Sequence, residues 1–560
     1  MTSPLPITDA APRRRPAKRR RHHHFTPSIK FYALLTAALF AALVVAHLPV
    51  ISLPYYWDEA GYFIPAARDL YLTGDPVPTS SPSNAHPPLV PAYVALAWHL
   101  FGFHIAVARV SMLLVAALAL AGLFRLSERA AEGRAVAWAS VLCTALYPVF
   151  FAQSSLVHLD VAAAALTLWG LVLYLPPPGA TREGEAVTEK TDEGGVTTEK
   201  TDEGGADFGG ASGLRRRVAC VALFALAALA KETAVLAPLA LAGWEVVGLV
   251  VRRFRPEAAR RVFLELNRPA WHTPLLALAL APLLAWLLYH QRRTGYFFGN
   301  PEYFRYNVEA TMNLARVIDA AGWRLRHVLS HMNLWVLTAA TAIAMLLRPL
   351  SDGGARERRR IDARVQMVFA VVVAAYVVAL SIVGGAVLAR YMLPVLPLVI
   401  LVCVSTLRRR VRRWPLVVAI VCAAFVAGLF WRPTFYSIPW EDNLSYRHFV
   451  LLHRDAARFI EETYEDPRVF TAWPARDELT NPAYGYTTRP LRVTVGPQDF
   501  GRESLEEARR RKSEYDTALV FSTHGGPSLE ELTQAIGGRV RFREERGGQW
   551  VAVLEVSSEQ

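Results

Sequence analysis

Cysteine is scarce in this sequence, with four residues in a chain of 560. All four lie inside apolar runs, where a thiol behaves as a small hydrophobic side chain. The sequence therefore predicts neither a disulfide framework nor a cysteine-based metal site. The four residues are Cys143, Cys220, Cys403 and Cys422.

Nucleotide-binding motifs are also missing. The chain contains no G-x-x-x-x-G-K-[ST] and no G-x-G-x-x-G segment, the glycine-rich patterns that cradle phosphates. The stretches between its apolar runs on the basic side are too short to hold a nucleotide-binding domain. These absences disfavour an ATPase and a nucleotide-sugar enzyme.

Acidic residues are outnumbered, because 48 Asp and Glu face 61 Lys and Arg, which gives a net charge of +13. A basic protein of this kind is a candidate for binding nucleic acid. Here, however, the basic residues form short clusters between apolar segments instead of one continuous patch. The pattern is typical of cytoplasmic loops in a membrane protein.

Apolar residues dominate what is present. They make up 53% of the chain, and the mean hydropathy is +0.23. The apolar runs have the length that a helix needs to cross a hydrocarbon layer of roughly 30 Å. We predict a polytopic α-helical membrane protein with about 11 to 13 transmembrane helices. The predicted runs are 31–50, 105–124, 135–152, 159–175, 217–230, 233–251, 272–289, 332–347, 365–387, 391–407 and 414–431.

The basic clusters predict the orientation. A basic arm, residues 1–30, precedes the first run and should remain cytoplasmic. The run 31–50 is long for a signal peptide and lacks a small-residue cleavage site, so it is interpreted as a signal anchor. Alternating sides from there keeps every arginine cluster in the cytoplasm. The predicted location is the inner (cytoplasmic) membrane, with the C-terminus outside.

Several segments are predicted to lie outside the bilayer. The apolar segment 88–103 opens with two prolines, and we favour an interfacial helix over a crossing because a crossing breaks the charge alternation. The C-terminal region alternates helical and strand patterns, which predicts a small extracytoplasmic α/β domain with a helix at 446–464 and strands at 469–472, 491–495, 518–521 and 551–554. The predicted segments are a first outer loop 51–87, a disordered cytoplasmic insertion 179–213, an outer loop 291–331 and the domain 433–560.

Ionisable residues collect at the outer ends of the predicted spans, where a charge is costly and therefore a functional candidate. Several have a structural alternative. Asp58 could be a solvated acid at a helix end and Asp160 a helix N-cap. Arg390 could snorkel to the interface, and Lys231 could pair with its neighbour Glu232. Their shared side favours one extracytoplasmic cluster. Its predicted members are Asp58, Glu59, His158, Asp160, Lys231, Glu232, Arg390 and Tyr391.

These motifs together resemble a known family. The segments are Asp58-Glu59, Asn84-Ala-His-Pro-Pro-Leu89, Leu159-Asp160, Ala230-Lys-Glu-Thr233 and Ala389-Arg-Tyr-Met-Leu-Pro394. They look like the GT-C membrane glycosyltransferases, in the branch of protein O-mannosyltransferases and lipid A aminoarabinose transferases (glycosyltransferase family 39/83-like). The likeness covers residues 30 to about 432, which would form the transmembrane catalytic domain 31–432.

The resemblance implies roles for single residues. Asp58, with Glu59 beside it, would be the catalytic acid of the first outer loop, and Asp160 can join Asp58 at a divalent metal site. Lys231 and the basic residue before the proline pair, here His86 where the aminoarabinose transferases have lysine, would hold the donor phosphate. Further phosphate candidates are Arg390 and, in the variable outer loop, Arg305; further substrate-binding candidates are Tyr62, Glu232 and Tyr391.

The expected function follows from this site. A sugar would pass from a polyprenyl-phosphate carrier to a lipid, glycan or protein hydroxyl on the outer face, with inversion at the anomeric carbon and Asp58 as general base. The alternative is a flippase for polyprenyl-linked sugars or a secondary transporter. That reading is disfavoured because transporters show internal repeats and charges at the bilayer midplane, whereas these charges lie at one face.

Overall fold

The protein is a helical bundle with a small α/β domain, seen in a computed structural model. It describes residues 29–81, 84–131, 133–176, 211–264, 273–351, 357–431, 433 and 438–556. Nearly all of the predicted basic arm and of the predicted insertion 179–213 lie outside the described residues.

Each of the eleven predicted apolar runs contains a helix. Six helical segments of the described chain have the length and composition of a membrane span, and four more apolar helices are shorter. The chain is a multi-pass membrane protein. The helices are α1 (Ile29–His47), α2 (Ile64–Thr73), α3 (Leu89–Phe101), α4 (Ile105–Ala131), α5 (Arg134–Leu146), α6 (Pro148–Gln153), α7 (Leu159–Tyr174), α8 (Ala211–Ala230), α9 (Leu236–Phe254), α10 (Pro256–Val262), α11 (Ala281–Thr294), α12 (Pro301–Asn307), α13 (Leu314–Leu329), α14 (Leu334–Met345), α15 (Ala363–Ile382), α16 (Leu396–Arg410) and α17 (Trp414–Phe430).

Small residues let the central helices pack closely. Helix α4 packs against α1, α5 and α7, and α7 packs against α8. A Cβ atom at Gly170 would lie 2.7 Å from the ring of Phe224, so only glycine admits that ring at this point of the α7–α8 contact. Close backbone approach at small residues is how helices pack inside a membrane, where burial of apolar surface contributes little.

Helix α3 occupies the apolar segment 88–103, for which the sequence favours an interfacial position over a membrane crossing. Its 13 residues span about 20 Å at 1.5 Å per residue, short of a hydrocarbon layer of roughly 30 Å. One side is buried, including Val94 and Trp98, while Leu100 and Phe101 are exposed. This geometry favours the interfacial interpretation.

The predicted outer loop 291–331 is largely helical. It contains α12 and the amphipathic α13, which leads directly towards α14. The backbone is interrupted at Met332 and Asn333, whose φ angles are 46° and 67°. This break separates α13 from the apolar α14 inside Leu314–Met345, one of the six span-like segments, which reaches its length only when both helices are counted together.

The C-terminal domain contains a five-stranded mixed sheet in the order β2-β1-β3-β5-β4. Strand β1 pairs in parallel with β2 and β3, whereas β5 is antiparallel to β3 and β4. Its elements are α18 (Tyr446–Thr463), β1 (Arg468–Phe470), α19 (Ala475–Thr480), β2 (Arg492–Val495), α20 (Arg502–Arg510), β3 (Thr517–Phe521), α21 (Leu529–Ile536), β4 (Arg539–Arg546) and β5 (Gln549–Glu555).

This domain rests on the segment 51–87, which the sequence predicts to be the first outer loop. The backbone N–H of Tyr55 donates to the carbonyl of Tyr484 at 3.2 Å, and the Tyr486 hydroxyl donates to the carbonyl of Tyr55 at 2.8 Å. Trp57 packs against Trp473 and Phe449 with ring centroids 5.4 and 5.2 Å apart. One hydrophobic core therefore joins the loop that carries Asp58 to the domain.

Candidate active site

Four of the predicted residues form a continuous chain of ion pairs. Lys231 Nζ lies 2.5 Å from Asp160 Oδ1, and Asp160 Oδ2 lies 3.6 Å from Arg390 Nε. The other side of the Arg390 guanidinium contacts the carboxylate of Asp58. Residues up to 332 positions apart in the sequence thus share one cluster.

Each of these side chains comes from the end of a helix. Asp58 precedes a single π-helical turn, Glu59–Phe63, and Asp160 lies in the first turn of α7. Lys231 is the extended residue between α8 and a 3-10 turn, and Arg390 lies in the 3-10 turn before α16. Helix ends bring the charges together while the apolar helix bodies stay in the bilayer.

Arg390 is the centre of the cluster. Its side chain is 4% exposed, and Nη1 lies 2.9 Å from Glu441 Oε1 and 2.9 Å from His158 Nδ1. Burial and the cations beside it hold the pKa of His158 well below its usual range, so the ring is neutral. Its Nδ1–H then donates to Gln153 Oε1, and Nε2, 3.4 Å from Arg390 Nη1, is the nitrogen that can accept from the guanidinium. Three carboxylates, Asp58, Asp160 and Glu441, therefore surround one arginine.

Tyr391 lies beneath the cations. The Lys231 ammonium is 3.7 Å from the centre of its ring, and the guanidinium of Arg324 is 5.4 Å away. Cation–π contact of this kind strengthens when the groups are desolvated. Tyr391 thus contacts Lys231 in addition to the ion pair that Lys231 makes with Asp160.

Glu232 and His86 form a second pair at the edge of the cluster. Glu232 Oε2 lies 3.0 Å from His86 Nδ1, so Glu232 pairs with His86 and Lys231 pairs with Asp160. The shortest contact of Lys231 is thus with Asp160 and not with its neighbour Glu232, the partner that the sequence suggested. His86 Nε2 also lies 3.5 Å from the Tyr303 hydroxyl.

Glu59 has surroundings that differ from those of its neighbour Asp58. Its carboxylate is fully buried, pairs with Arg109 at 3.0 Å, and accepts from the backbone N–H groups of Val157 and Tyr56 at 2.6 and 2.8 Å. Burial raises the pKa of Glu59, which Arg109 and these donors oppose. The geometry favours a structural role, against the prediction of a catalytic one.

Glu59→Ala is expected to destabilise the protein by about 3 kcal/mol, since removing one partner leaves the Arg109 charge buried and uncompensated. The thermal melting of purified protein in detergent measures this. Glu545→Ala, which removes an exposed carboxylate 3.8 Å from Arg543, is the control and should melt like wild type. An unchanged melting temperature for Glu59→Ala would contradict the structural role.

Two predicted residues, Tyr62 and Arg305, are not members of the charged cluster. Tyr62 packs on the indole of Trp473 with ring centroids 5.4 Å apart, beside the turn that carries Asp58. Arg305 lies exposed on α12, and no contact joins it to the cluster within the described residues. The structure thus gives no geometric support to Arg305 as a phosphate ligand.

The predicted metal site of Asp58 and Asp160 does not fit this arrangement. The Arg390 guanidinium lies between the two carboxylates, and Lys231 already neutralises the other oxygen of Asp160. Among the described residues, no group of three or more His, Cys, Asp or Glu side chains has the arrangement of a metal site. Arg390 and Lys231 thus already pair with the two carboxylates that were predicted to hold the ion.

Sequence reasoning missed three parts of the site. Glu441 and Asp442 lie just beyond α17, and Asp442 Oδ2 is 2.7 Å from His331 Nε2. Arg324 is buried and donates to the carbonyls of Leu388 and Ala386 at 2.7 and 3.3 Å, just before Arg390. Arg109 could have been recognised from the sequence, because an arginine inside an apolar run is costly unless it has a partner.

The helical bundle and the α/β domain seated on its first outer loop define a multi-pass membrane protein with the GT-C fold. The predicted fold is confirmed. No family model matches the sequence, and no curated protein matches it.

Several solved structures are similar to this chain. ArnT from Cupriavidus metallidurans bound to undecaprenyl phosphate is similar at 14% identity, over 95% of this chain and 99% of ArnT, with a TM-score of 0.53. The apo state of ArnT is 14% identical over 94% of this chain and 98% of ArnT, with a TM-score of 0.51. The oligosaccharyltransferase AglB from Archaeoglobus fulgidus is 11% identical over 87% of this chain and 69% of AglB, with a TM-score of 0.41.

Proposed function

We propose that this protein is a membrane glycosyltransferase that moves a sugar from a polyprenyl-phosphate donor to a hydroxyl acceptor. The observation that carries the proposal is a partly exposed carboxylate beside two buried cations: the Asp58 side chain is 21% exposed, whereas Arg390 and Lys231 are 4% and 8% exposed. The fold it shares with ArnT, solved with undecaprenyl phosphate bound, supports a carrier of the same chemistry.

Asp58 is the proposed general base. An acceptor hydroxyl is a weak nucleophile, so a carboxylate must take its proton as the oxygen attacks the anomeric carbon. The new bond joins acceptor oxygen to anomeric carbon, and the bond from that carbon to the phosphate oxygen breaks with its electron pair. Attack opposite the departing phosphate inverts the anomeric centre.

Lys231 and Arg390 are the proposed partners of the departing phosphate. Negative charge grows on that phosphate as the bond breaks, and charge-assisted hydrogen bonds from fixed cations stabilise it. Because a phosphate is a good leaving group, no separate general acid is needed. In this mechanism the two side chains supply the neutralisation that a divalent ion would otherwise give.

The charged cluster also supports an orientation. The cluster lies at the helix ends that we assign to the outer face. Arginines such as Arg252, Arg253 and Arg408 lie in the last turns at the opposite ends of α9 and α16. We therefore place the N-terminus in the cytoplasm and the C-terminal domain outside the inner (cytoplasmic) membrane. Carrier lipids and the acceptor would meet at this outer face.

Reconstitution in liposomes tests the function. Purified protein would receive radiolabelled polyprenyl-phosphate hexoses and pentoses together with cell-envelope lipids, glycans or proteins as acceptors. Formation of a new glycosidic bond, equally with and without a chelator, supports the proposal. Movement of the labelled carrier across the bilayer without bond formation would favour a flippase, and mass spectrometry of the product would identify the sugar and acceptor.

A further inference from the structure

The segment between α17 and the C-terminal domain enters the site. Glu441 lies in the 3-10 turn Trp440–Asp442 and is 4% exposed as a residue. Its neighbours hold it in place, because Asp442 pairs with His331 at 2.7 Å and the Trp440 ring packs 6.3 Å from that of Trp57. The carboxylate of Glu441 is thus delivered to the cluster by an anchored turn.

Two separate links join Glu441 to Arg390. Glu441 Oε1 lies 2.9 Å from Arg390 Nη1. The backbone carbonyl of Glu441 accepts from Gln153 Nε2 at 3.1 Å, and Gln153 Oε1 lies 2.7 Å from His158 Nδ1, which itself contacts Arg390. The turn therefore fixes the guanidinium directly and through the Gln153–His158 relay.

The charge balance around this arginine is unusual. Asp58, Asp160 and Glu441 share two cations, and Asp442 and the buried Tyr56 also face Glu441. Oε1 of Glu441 makes no well-aligned hydrogen bond within the described part of the chain, although it is close to Arg390. Burial, with neighbouring carboxylates, raises the pKa of Glu441 to about 8. The Glu441 carboxyl group is therefore mainly protonated at pH 7 and becomes ionised as the pH rises through about 8.

We propose that Glu441 is a positioning residue that competes with the donor phosphate for Arg390, so that its charge sets the affinity for the carrier. The inference rests on the proposed function. With Glu441 protonated, two cations balance Asp58 and Asp160, and no third negative charge competes with a phosphate for the guanidinium. With Glu441 ionised, a further negative charge holds Arg390 and repels the incoming phosphate.

The affinity for the carrier is expected to fall as the pH rises through about 8, because Glu441 then loses its proton and becomes negatively charged. Glu441→Gln keeps the shape of the protonated side chain and cannot ionise. This variant should retain at high pH the affinity that the wild type shows near neutral pH.

The test is the dissociation constant of undecaprenyl phosphate for the full-length chain in detergent, measured at about pH 7.5 and about pH 9. The wild type should bind about tenfold more weakly at the higher pH, as expected for one added negative charge near the phosphate. Glu441→Gln should change less than about twofold beyond any change due to the ligand itself, and Glu441→Asp, which keeps the charge, should remain pH-dependent.

Glu478→Gln is the matched control. It removes the same charge from another buried carboxylate of the C-terminal domain, where Glu478 Oε2 lies 2.6 Å from His453 Nδ1, and should behave as wild type. Binding with the same pH dependence in wild type and Glu441→Gln overturns this inference alone. Failure of the wild type to bind undecaprenyl phosphate at either pH overturns the proposed function with it.

Discussion

Asp58→Asn is expected to lower the rate of sugar transfer by about 10²- to 10⁴-fold, the usual contribution of a general base. Asparagine keeps the shape of the side chain and cannot take the proton of the acceptor hydroxyl. Arg390 retains Asp160 and Glu441 as partners in the variant. Binding of undecaprenyl phosphate should therefore persist while transfer is lost, as a transfer assay with a parallel binding measurement would show.

The matched control is Asp319→Asn, which removes an exposed carboxylate of α13 that has no contact with the cluster among the described residues. Its transfer rate should equal that of the wild type. If Asp58→Asn turned over at a near-normal rate with normal carrier binding, Asp58 would not be the base.

Lys231→Met is expected to lower kcat/KM by about 10²- to 10³-fold, as loss of one fixed charge on a developing anion does elsewhere. The variant also leaves Asp160 with Arg390 as its remaining cation, at 3.6 Å. That carboxylate then draws the guanidinium away from the donor. Carrier affinity and transfer should fall together, in contrast to Asp58→Asn.

Arg293→Met provides the comparison for Lys231. It removes a cation that pairs with Asp75 at 2.5 Å at a more exposed place, and it should leave kcat/KM unchanged. Lys231→Arg should recover part of the activity, because the charge returns with different geometry. Normal carrier affinity in Lys231→Met would remove Lys231 from the phosphate site.

The sequence predicts that four charged residues lie in one cluster: Asp58, Asp160, Lys231 and Arg390. Each is a charged residue next to an apolar run, and the arginine clusters fix which end of each run faces outward. Topology alone thus brings them to one face. Their pairing could not be predicted, because it depends on which helices adjoin. The sequence suggests only the neighbour Glu232 as a side-chain partner of Lys231, whereas the structure places Asp160 beside it.

Glu441 left no periodic signal, since it lies in a three-residue turn between a span and a domain. Strand β4 was missed for a related reason. Its segment, Arg-Val-Arg-Phe-Arg-Glu-Glu-Arg, lies at the edge of the sheet and is mostly charged, so it lacks the apolar alternation of a half-buried strand. Charge on an edge strand discourages pairing with other chains, which explains the composition.

The hydrogen bonds from Tyr55 to Tyr484 and from Tyr486 to Tyr55 have a practical meaning for protein engineering. The α/β domain and the loop that carries Asp58 share these hydrogen bonds and one hydrophobic core. Hybrids that graft this domain onto the helices of another protein of the same fold should thus need its loop transplanted as well, and the two pieces are expected to vary as a single unit.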